Sequence, residues 1–192
     1  MDLDTPASGT TVYTIGHSTR SIEAFIGLLN ANGVGLVADV RTIPKSLRNP
    51  QFNMDTLPVS LAAEDIAYEH MPGLGGLRHP KRDSVNTGWR NASFRGYADY
   101  MLTEPFESSL RRLMDLARRS TTVVMCAEAV PWRCHRSLIA DALVTRGFAV
   151  HHIVGPSGVK HHVLTPWARA SGTVITYPPE DPENTTLPDS PA

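Results

Sequence analysis

Thr121-Thr-Val-Val-Met-Cys-Ala-Glu-Ala-Val-Pro-Trp-Arg-Cys-His-Arg136, continued by Ser137-Leu-Ile-Ala-Asp-Ala-Leu-Val-Thr-Arg146, reads as strand, loop and helix in one stretch. Val123, Val124 and Met125 form a short apolar run preceded by two threonines, the pattern of a strand buried in a parallel sheet. Cys126 and Glu128 stand where that strand ends, and Pro131 punctuates the turn. Arg133, Cys134, His135 and Arg136 fall at the start of the following helix, on which Leu138, Ile139, Ala142 and Leu143 recur at helical spacing. Amide groups at a helix start carry partial positive charge, so two arginines and a histidine beside them predict an anion-binding corner. The alternative is structural, with Cys126 a small buried hydrophobe and the arginines a solvated first turn. Seven residues separate the two cysteines, a spacing that matches neither a zinc knuckle nor a thioredoxin-type pair.

The same strand-then-polar pattern recurs upstream. Thr11-Val-Tyr-Thr-Ile15 alternates as a strand and ends in Gly16-His17-Ser18-Thr19, and Ile22, Phe25, Ile26 and Leu29 then share a helix face that Asn32-Gly33 terminates. Gly35-Leu-Val-Ala-Asp-Val40 is a second apolar strand, followed by Arg41, Pro44, Lys45, Ser46 and Arg48. Strand, helix and strand with short connections predict a parallel crossover unit. In open parallel sheets ligands bind outside the carboxyl ends of the strands, so His17, Ser18, Asp39, Arg41 and the Cys126 loop are expected on one rim.

Further along, Met54, Leu57, Leu61 and Ala62 predict a helix interrupted or restarted at Pro58, and Ile66 to His70 a short edge strand. Leu74-Gly-Gly-Leu-Arg78 is a glycine loop without the residues of a phosphate loop. Residues 79–93 are polar with Trp89 inside, the composition of a mobile flap. Two helices follow, over 94–101 and from about 106. The arginines of the second, at 111, 112, 118 and 119, read as a solvated face or as a nucleic-acid contact. Residues 148–154 predict a strand, with His161 to Thr165 as its hairpin partner across Gly155-Pro-Ser-Gly158. The His151-His152 and His161-His162 pairs invite a metal reading, although neighbours in a strand face opposite sides, so each pair offers one ligand to a site.

These elements predict a single α/β domain, Rossmann-like and three-layered, with an open, largely parallel sheet and helices on both faces. Its expected limits are residues 11–170, between a disordered N-terminus (1–10) and a disordered Pro/Asp/Glu-rich tail (171–192). The 192 residues, 41% hydrophobic and 19% charged, suffice for one continuous core. A net charge of -1 removes any bulk-charge case for nucleic acid or membrane binding, and no apolar run is long enough to span a bilayer. With no secretory leader visible and only two cysteines, a cytoplasmic protein with free thiols is expected.

Several pieces together resemble the bacterial and archaeal family catalogued as domain of unknown function 488. They are Thr14-Ile-Gly-His-Ser18, Asp39-Val-Arg41 with Pro44 and Ser46, Pro50-Gln-Phe52, Leu74-Gly-Gly76 with Arg78, Tyr97-Ala-Asp-Tyr-Met101, Cys126-Ala-Glu128, Cys134-His-Arg136, His152, and His162-Val-Leu-Thr165. Where the family often has Arg directly after the Ser, Leu47 intervenes before Arg48. The resemblance implies a fold and a site, and leaves the reaction and any cofactor open.

The leading expectation is an enzyme acting on a small anionic or nucleotide-like substrate. Cys126, Glu128, His17 and Asp39 are its candidate catalytic residues. Ser18, Arg41, Ser46, Gly75, Gly76, Arg78, Cys134, His135 and Arg136 are the candidate anion-binding residues. No metal ligand is assigned. The competing reading of Asp39 and Arg41 is an ion pair that pins the strand end. A second function is a nucleic-acid module using Arg78, Lys81, Arg82, Trp89, Arg90 and Arg95, and a third is a metal protein built on the histidine pairs. The oligomeric state is open.

Overall fold

A computed structural model describes residues 9–179. The expectations for residues 1–8 and 180–192 lie outside the described residues. A central sheet contains β1 (Thr11–Gly16), β2 (Leu36–Asp39), β3 (Ala67–His70), β4 (Thr122–Cys126), β5 (Ala149–Gly155) and β6 (Gly158–His161), in the order β3-β2-β4-β1-β5-β6. The first five strands are parallel and β6 pairs antiparallel with β5, so the largely parallel α/β sheet is as expected. Helices α1 (Ile22–Ala31) and α2 (Leu57–Ala62) cover one face, where Phe25, Leu29, Leu57 and Leu61 pack on Ile15, Val37, Val123 and Met125. Helices α3 (Ala92–Met101), α4 (Glu104–Arg119) and α5 (Arg136–Val144) cover the other, where Tyr97, Leu110 and Leu138 pack with Val12, Ala38, Val124 and Val150. Alternate residues of each strand thus feed separate cores, which is why apolar runs rather than half-polar ones mark these strands.

Several local expectations change. Pro58 sits in the first turn of α2 rather than interrupting it, a position where its missing N–H has no helical partner to lose. The hairpin partner of β5 begins at Gly158, whose φ of 117° suits only glycine, and not at His161. The crossover from β1 does not reach a neighbouring strand, because β4 pairs with both β1 and β2 and lies between them. The tail also begins later than residue 171. β7 (Arg169–Ser171) and β8 (Val174–Thr176) form a small hairpin, and Tyr177 is fully buried.

The inserted β4 creates the geometry that matters. The chain leaves β1 into α1 on one face and leaves β4 into α5 on the other. Adjacent parallel strands whose connections diverge in this way open a crevice at their carboxyl ends. Register places Gly16 level with Cys126, and Asp39 level with Met125.

Candidate functional site

The turn after β1 is latched to the end of β4: His17 N donates to Cys126 O and Ser18 N to Ala127 O, both at 2.9 Å. Gly16 is required there, since a Cβ would lie 1.9 Å from Glu128 O. Ser18 takes a left-handed conformation, φ 49°. His17 is buried and stacks on Phe52 at 4.3 Å. Its Nδ1–H donates to Ser18 O at 2.9 Å, so Nε2 carries the lone pair and accepts from Arg41 NH1 at 3.3 Å. Burial, with Arg41 nearby, lowers its pKa to about 4. His17 is therefore a neutral ring with both nitrogens engaged, a wall of the site rather than a free base.

Asp39 and Arg41 form the ion pair that the sequence left as an alternative. Asp39 is fully buried; its Oδ1 accepts from Arg41 N and Nε, and its Oδ2 from Arg41 NH2 and from Tyr68 OH. With four donors on two oxygens, Asp39 holds Arg41 and has no place as an acid or base. Arg41 NH2 also reaches Phe52 O at 2.7 Å. What remains outward is one N–H of NH1, at the floor of a cavity of about 390 Å³ lined by His17, Ser18, Arg41, Lys45, Ser46 and Glu128. Ser46 Oγ accepts from Asn49 N, which leaves its hydroxyl proton to be donated.

On the other side of the 127–129 loop, a second cavity of about 330 Å³ is lined by Gly76, Cys126, Glu128, Arg133, Cys134 and His135. Arg136 lies beneath it, 1% exposed, and does not clamp an external anion. Its Nε donates to Cys134 Sγ at 3.4 Å, NH1 reaches Thr14 Oγ1 at 3.5 Å, and NH2 donates to Glu128 O. The first amides of α5, on Ser137 and Leu138, donate to Cys134 O and His135 O, so the predicted corner of free amides is not built from them. Cys134 Sγ also lies 3.6 Å from His135 Nδ1. Proximity of the Cys126 sulfur, within 4.8 Å, together with His135 and Arg136, holds the Cys134 thiol well below its ordinary value despite burial. The same proximity, with burial, pushes the Cys126 thiol far up. Of the two, Cys134 is the thiol whose ionisation is favoured, the reverse of the sequence expectation.

The glycine loop serves this cluster by packing. A Cβ on Gly76 would lie 2.4 Å from His135 Nδ1, and one on Gly75 would lie 2.4 Å from Thr42 Oγ1. Arg78 covers the Tyr100 ring at 3.5 Å and donates to Gly75 O, so it braces the loop instead of facing either cavity. Segment 79–93 is hydrogen-bonded to the rest of the domain at several points. Asp99 accepts from Lys81 N, Ser84 Oγ and Asn86 Nδ2, and Asn86 Oδ1 accepts from Tyr177 N. Trp89 packs on Phe94, Trp167 and Tyr177, which removes it as a free stacking platform.

Residues 21–143 match the model of a family described as a domain of unknown function, DUF488. The chain belongs to the DUF488 family. No curated protein and no solved structure matches it. The family match spans Arg41, Gly76, Cys126, Cys134 and His135, while β1 and the C-terminal strands lie outside it.

The sequence reading missed a buried polar chain under Arg136. Thr14 Oγ1 lies 2.7 Å from His152 Nδ1, His152 Nε2 lies 2.9 Å from His162 Nδ1, and His162 Nε2 lies 2.8 Å from Asp141 Oδ1. Asp141 also accepts from Thr165 N, Thr165 Oγ1 and Tyr177 OH. Every link is satisfied when each donor points from Arg136 toward Asp141 and both imidazoles are neutral. The ring nitrogens of His152 and His162 are then all engaged, so this inner pair offers no lone pair to a metal.

Burial and the neighbouring His162 lower the His152 pKa to about 4. Unfolding returns His17 and His152 to the ordinary value near 6.5, so between about pH 6.5 and 4 the unfolded chain binds more protons than the native one. Stability is fully present above pH 6.5 and falls as the pH drops through this window, by on the order of 3 kcal/mol per histidine. Denaturation midpoints from pH 8 to pH 4 measure this, and His152→Gln should remove part of the slope. A midpoint that does not change over that range contradicts the neutral-imidazole assignment.

Proposed function

We propose that the protein is an enzyme acting on a small anionic or nucleotide-like substrate at the carboxyl ends of β1, β2 and β4. The observation that carries this reading is the pair of cavities at the β1/β4 crevice, which share Ala127 and Glu128 as a common wall. One is edged by donors, from Ser18, Lys45, Ser46 and the last N–H of Arg41, and suits phosphate or carboxylate oxygens. The other presents the sulfurs of Cys126 and Cys134, with Glu128 and His135 as ionisable neighbours. Two free thiols side by side suit a reducing compartment such as the cytoplasm.

The nucleic-acid reading draws less support, since Trp89 and Arg78 are both engaged internally. Among the described residues no helix is long and apolar enough to cross a membrane.

The test is a set of thermal melts of the metal-free protein with inorganic phosphate, nucleoside monophosphates and a short single-stranded oligonucleotide. A ligand that binds only the native state raises the melting temperature, as phosphate or a mononucleotide should here, and Lys45→Ala should reduce the shift. Stabilisation by the oligonucleotide alone, weakening steeply with salt, would instead favour the nucleic-acid module. The absence of any anion-dependent shift would remove the proposal.

A further inference from the structure

We infer that Cys126, Cys134 and His135 form a binding site for a tetrahedral thiophilic cation, Zn²⁺ by preference, with its fourth position open to the second cavity. The inference rests on the rim reading above and names what would stand at its reacting end.

The donor atoms are already gathered. The two sulfurs and the imidazole nitrogen lie within 4.8 Å of one another. Zinc–sulfur and zinc–nitrogen bonds of about 2.3 and 2.0–2.1 Å, set at a tetrahedral angle, place the two ligand atoms about 3.6 Å apart. Cys134 Sγ and His135 Nδ1 are 3.6 Å apart. Sulfurs sharing such an ion stand about 3.8 Å apart, so the observed limit requires at most a small closing movement.

The local chemistry favours the same outcome. Cation binding displaces the thiol protons, and both cysteines are free of any disulfide. Arg136 Nε would remain donated to Cys134 Sγ, the kind of outer hydrogen bond that orients a thiolate ligand. Gly76 lies against the Nδ1 edge of His135, where any larger residue would displace the ring. Three protein ligands and a cavity of about 330 Å³ at the fourth corner describe an open site, which a solvent or substrate atom could complete. Two thiolates and an imidazole favour zinc over the hard cations magnesium and calcium.

The spacing hid this set, because the ligands come from the end of β4 and from the residues just before α5. The loop between them folds back so that the arginine after the second cysteine reaches Glu128 O.

The test is titration of the chelator-treated full chain with Co²⁺ alone, followed by displacement with Zn²⁺. Binding at this site predicts intense visible bands of a tetrahedral cobalt centre, thiolate-to-cobalt charge-transfer absorption, and one equivalent bound. Cys126→Ser, Cys134→Ser and His135→Ala should each weaken binding more than about tenfold, whereas Arg119→Ala, at an exposed position on α4, should leave it unchanged. Because a ligand variant could misfold, each is compared with the unmodified chain by far-UV circular dichroism. In the unmodified chain itself, Zn²⁺ should protect both thiols from alkylation and a chelator should restore their reactivity.

Cobalt bound without charge-transfer absorption, or thiols indifferent to Zn²⁺, would overturn the site. The two readings separate cleanly. A metal-free chain stabilised by phosphate while cobalt finds no sulfur ligand removes the metal and leaves the rim, whereas cobalt bound through both sulfurs with no anion response does the reverse.

Discussion

Asp141→Ala is expected to lower the stability of the protein by about 3–5 kcal/mol, measured as the shift in a urea denaturation curve. Asp141 is fully buried on α5 and collects four donors, from His162 Nε2, Thr165 N, Thr165 Oγ1 and Tyr177 OH. Its removal strands those donors in a dry interior, and the cost of an unsatisfied buried donor exceeds the modest gain of a made hydrogen bond. It also releases three parts of the chain, since His162, Thr165 and Tyr177 all follow β6 and reach α5 through this one side chain. The effect should travel to the rim, because His162 orients His152, and His152 accepts from the Thr14 hydroxyl that meets Arg136. Asp141→Asn keeps one oxygen acceptor and should fall between. A loss below about 1 kcal/mol for the alanine variant would mean that the chain of hydrogen bonds does not hold the C-terminal segment.

Asp39→Ala should be comparably costly, about 3–5 kcal/mol, for a different reason. Here the loss is a counter-charge. Arg41 is 6% exposed and would keep its positive charge with only Phe52 O, His17 Nε2 and solvent through the cavity to replace the carboxylate. An unpaired buried charge costs more than an absent pair, so the double variant Asp39→Ala/Arg41→Met should be less destabilised than Asp39→Ala alone. Coupling between the two positions distinguishes this from simple loss of packing. A double variant whose loss equals the sum of the two single losses would contradict the ion-pair account.

The sheet was legible where its chemistry is local. Runs such as Val123-Val124-Met125 and Leu36-Val-Ala-Asp39 are apolar on both sides because both faces carry helices, and their polar ends marked the rim. Strand order was not legible, since nothing in the residues of β4 states that it enters between β1 and β2. Composition misled in part at residues 79–93, where Ser84 and Asn86 turn inward onto Asp99 and Tyr177 while Lys81, Arg82, Asp83 and Arg90 stay exposed.

At the site, residue types were legible and their roles less so. Arginines were read as anion clamps because an isolated guanidinium is one, but Arg41 and Arg136 spend most of their donors on Asp39 and on Thr14, Cys134 and Glu128. Asp141 carried a usable signal, a lone carboxylate among Leu138, Ile139, Ala140, Ala142 and Leu143, and a charge on an otherwise buried helix requires partners. Its partners lie more than twenty residues away, which is why the sequence alone did not name them.

At the β1/β4 crevice, Cys126, His135 and Arg136 hold the Cys134 thiol below its ordinary value. Alkylation of the chelator-treated native protein across a pH series, mapped to each cysteine by mass spectrometry, tests it most directly. Cys134 should react well below pH ~8.5, the ordinary range of a free thiol, and Cys126 only at higher pH or once Cys134 is blocked. Reaction of Cys126 first, or of neither cysteine until the protein unfolds, would contradict the account.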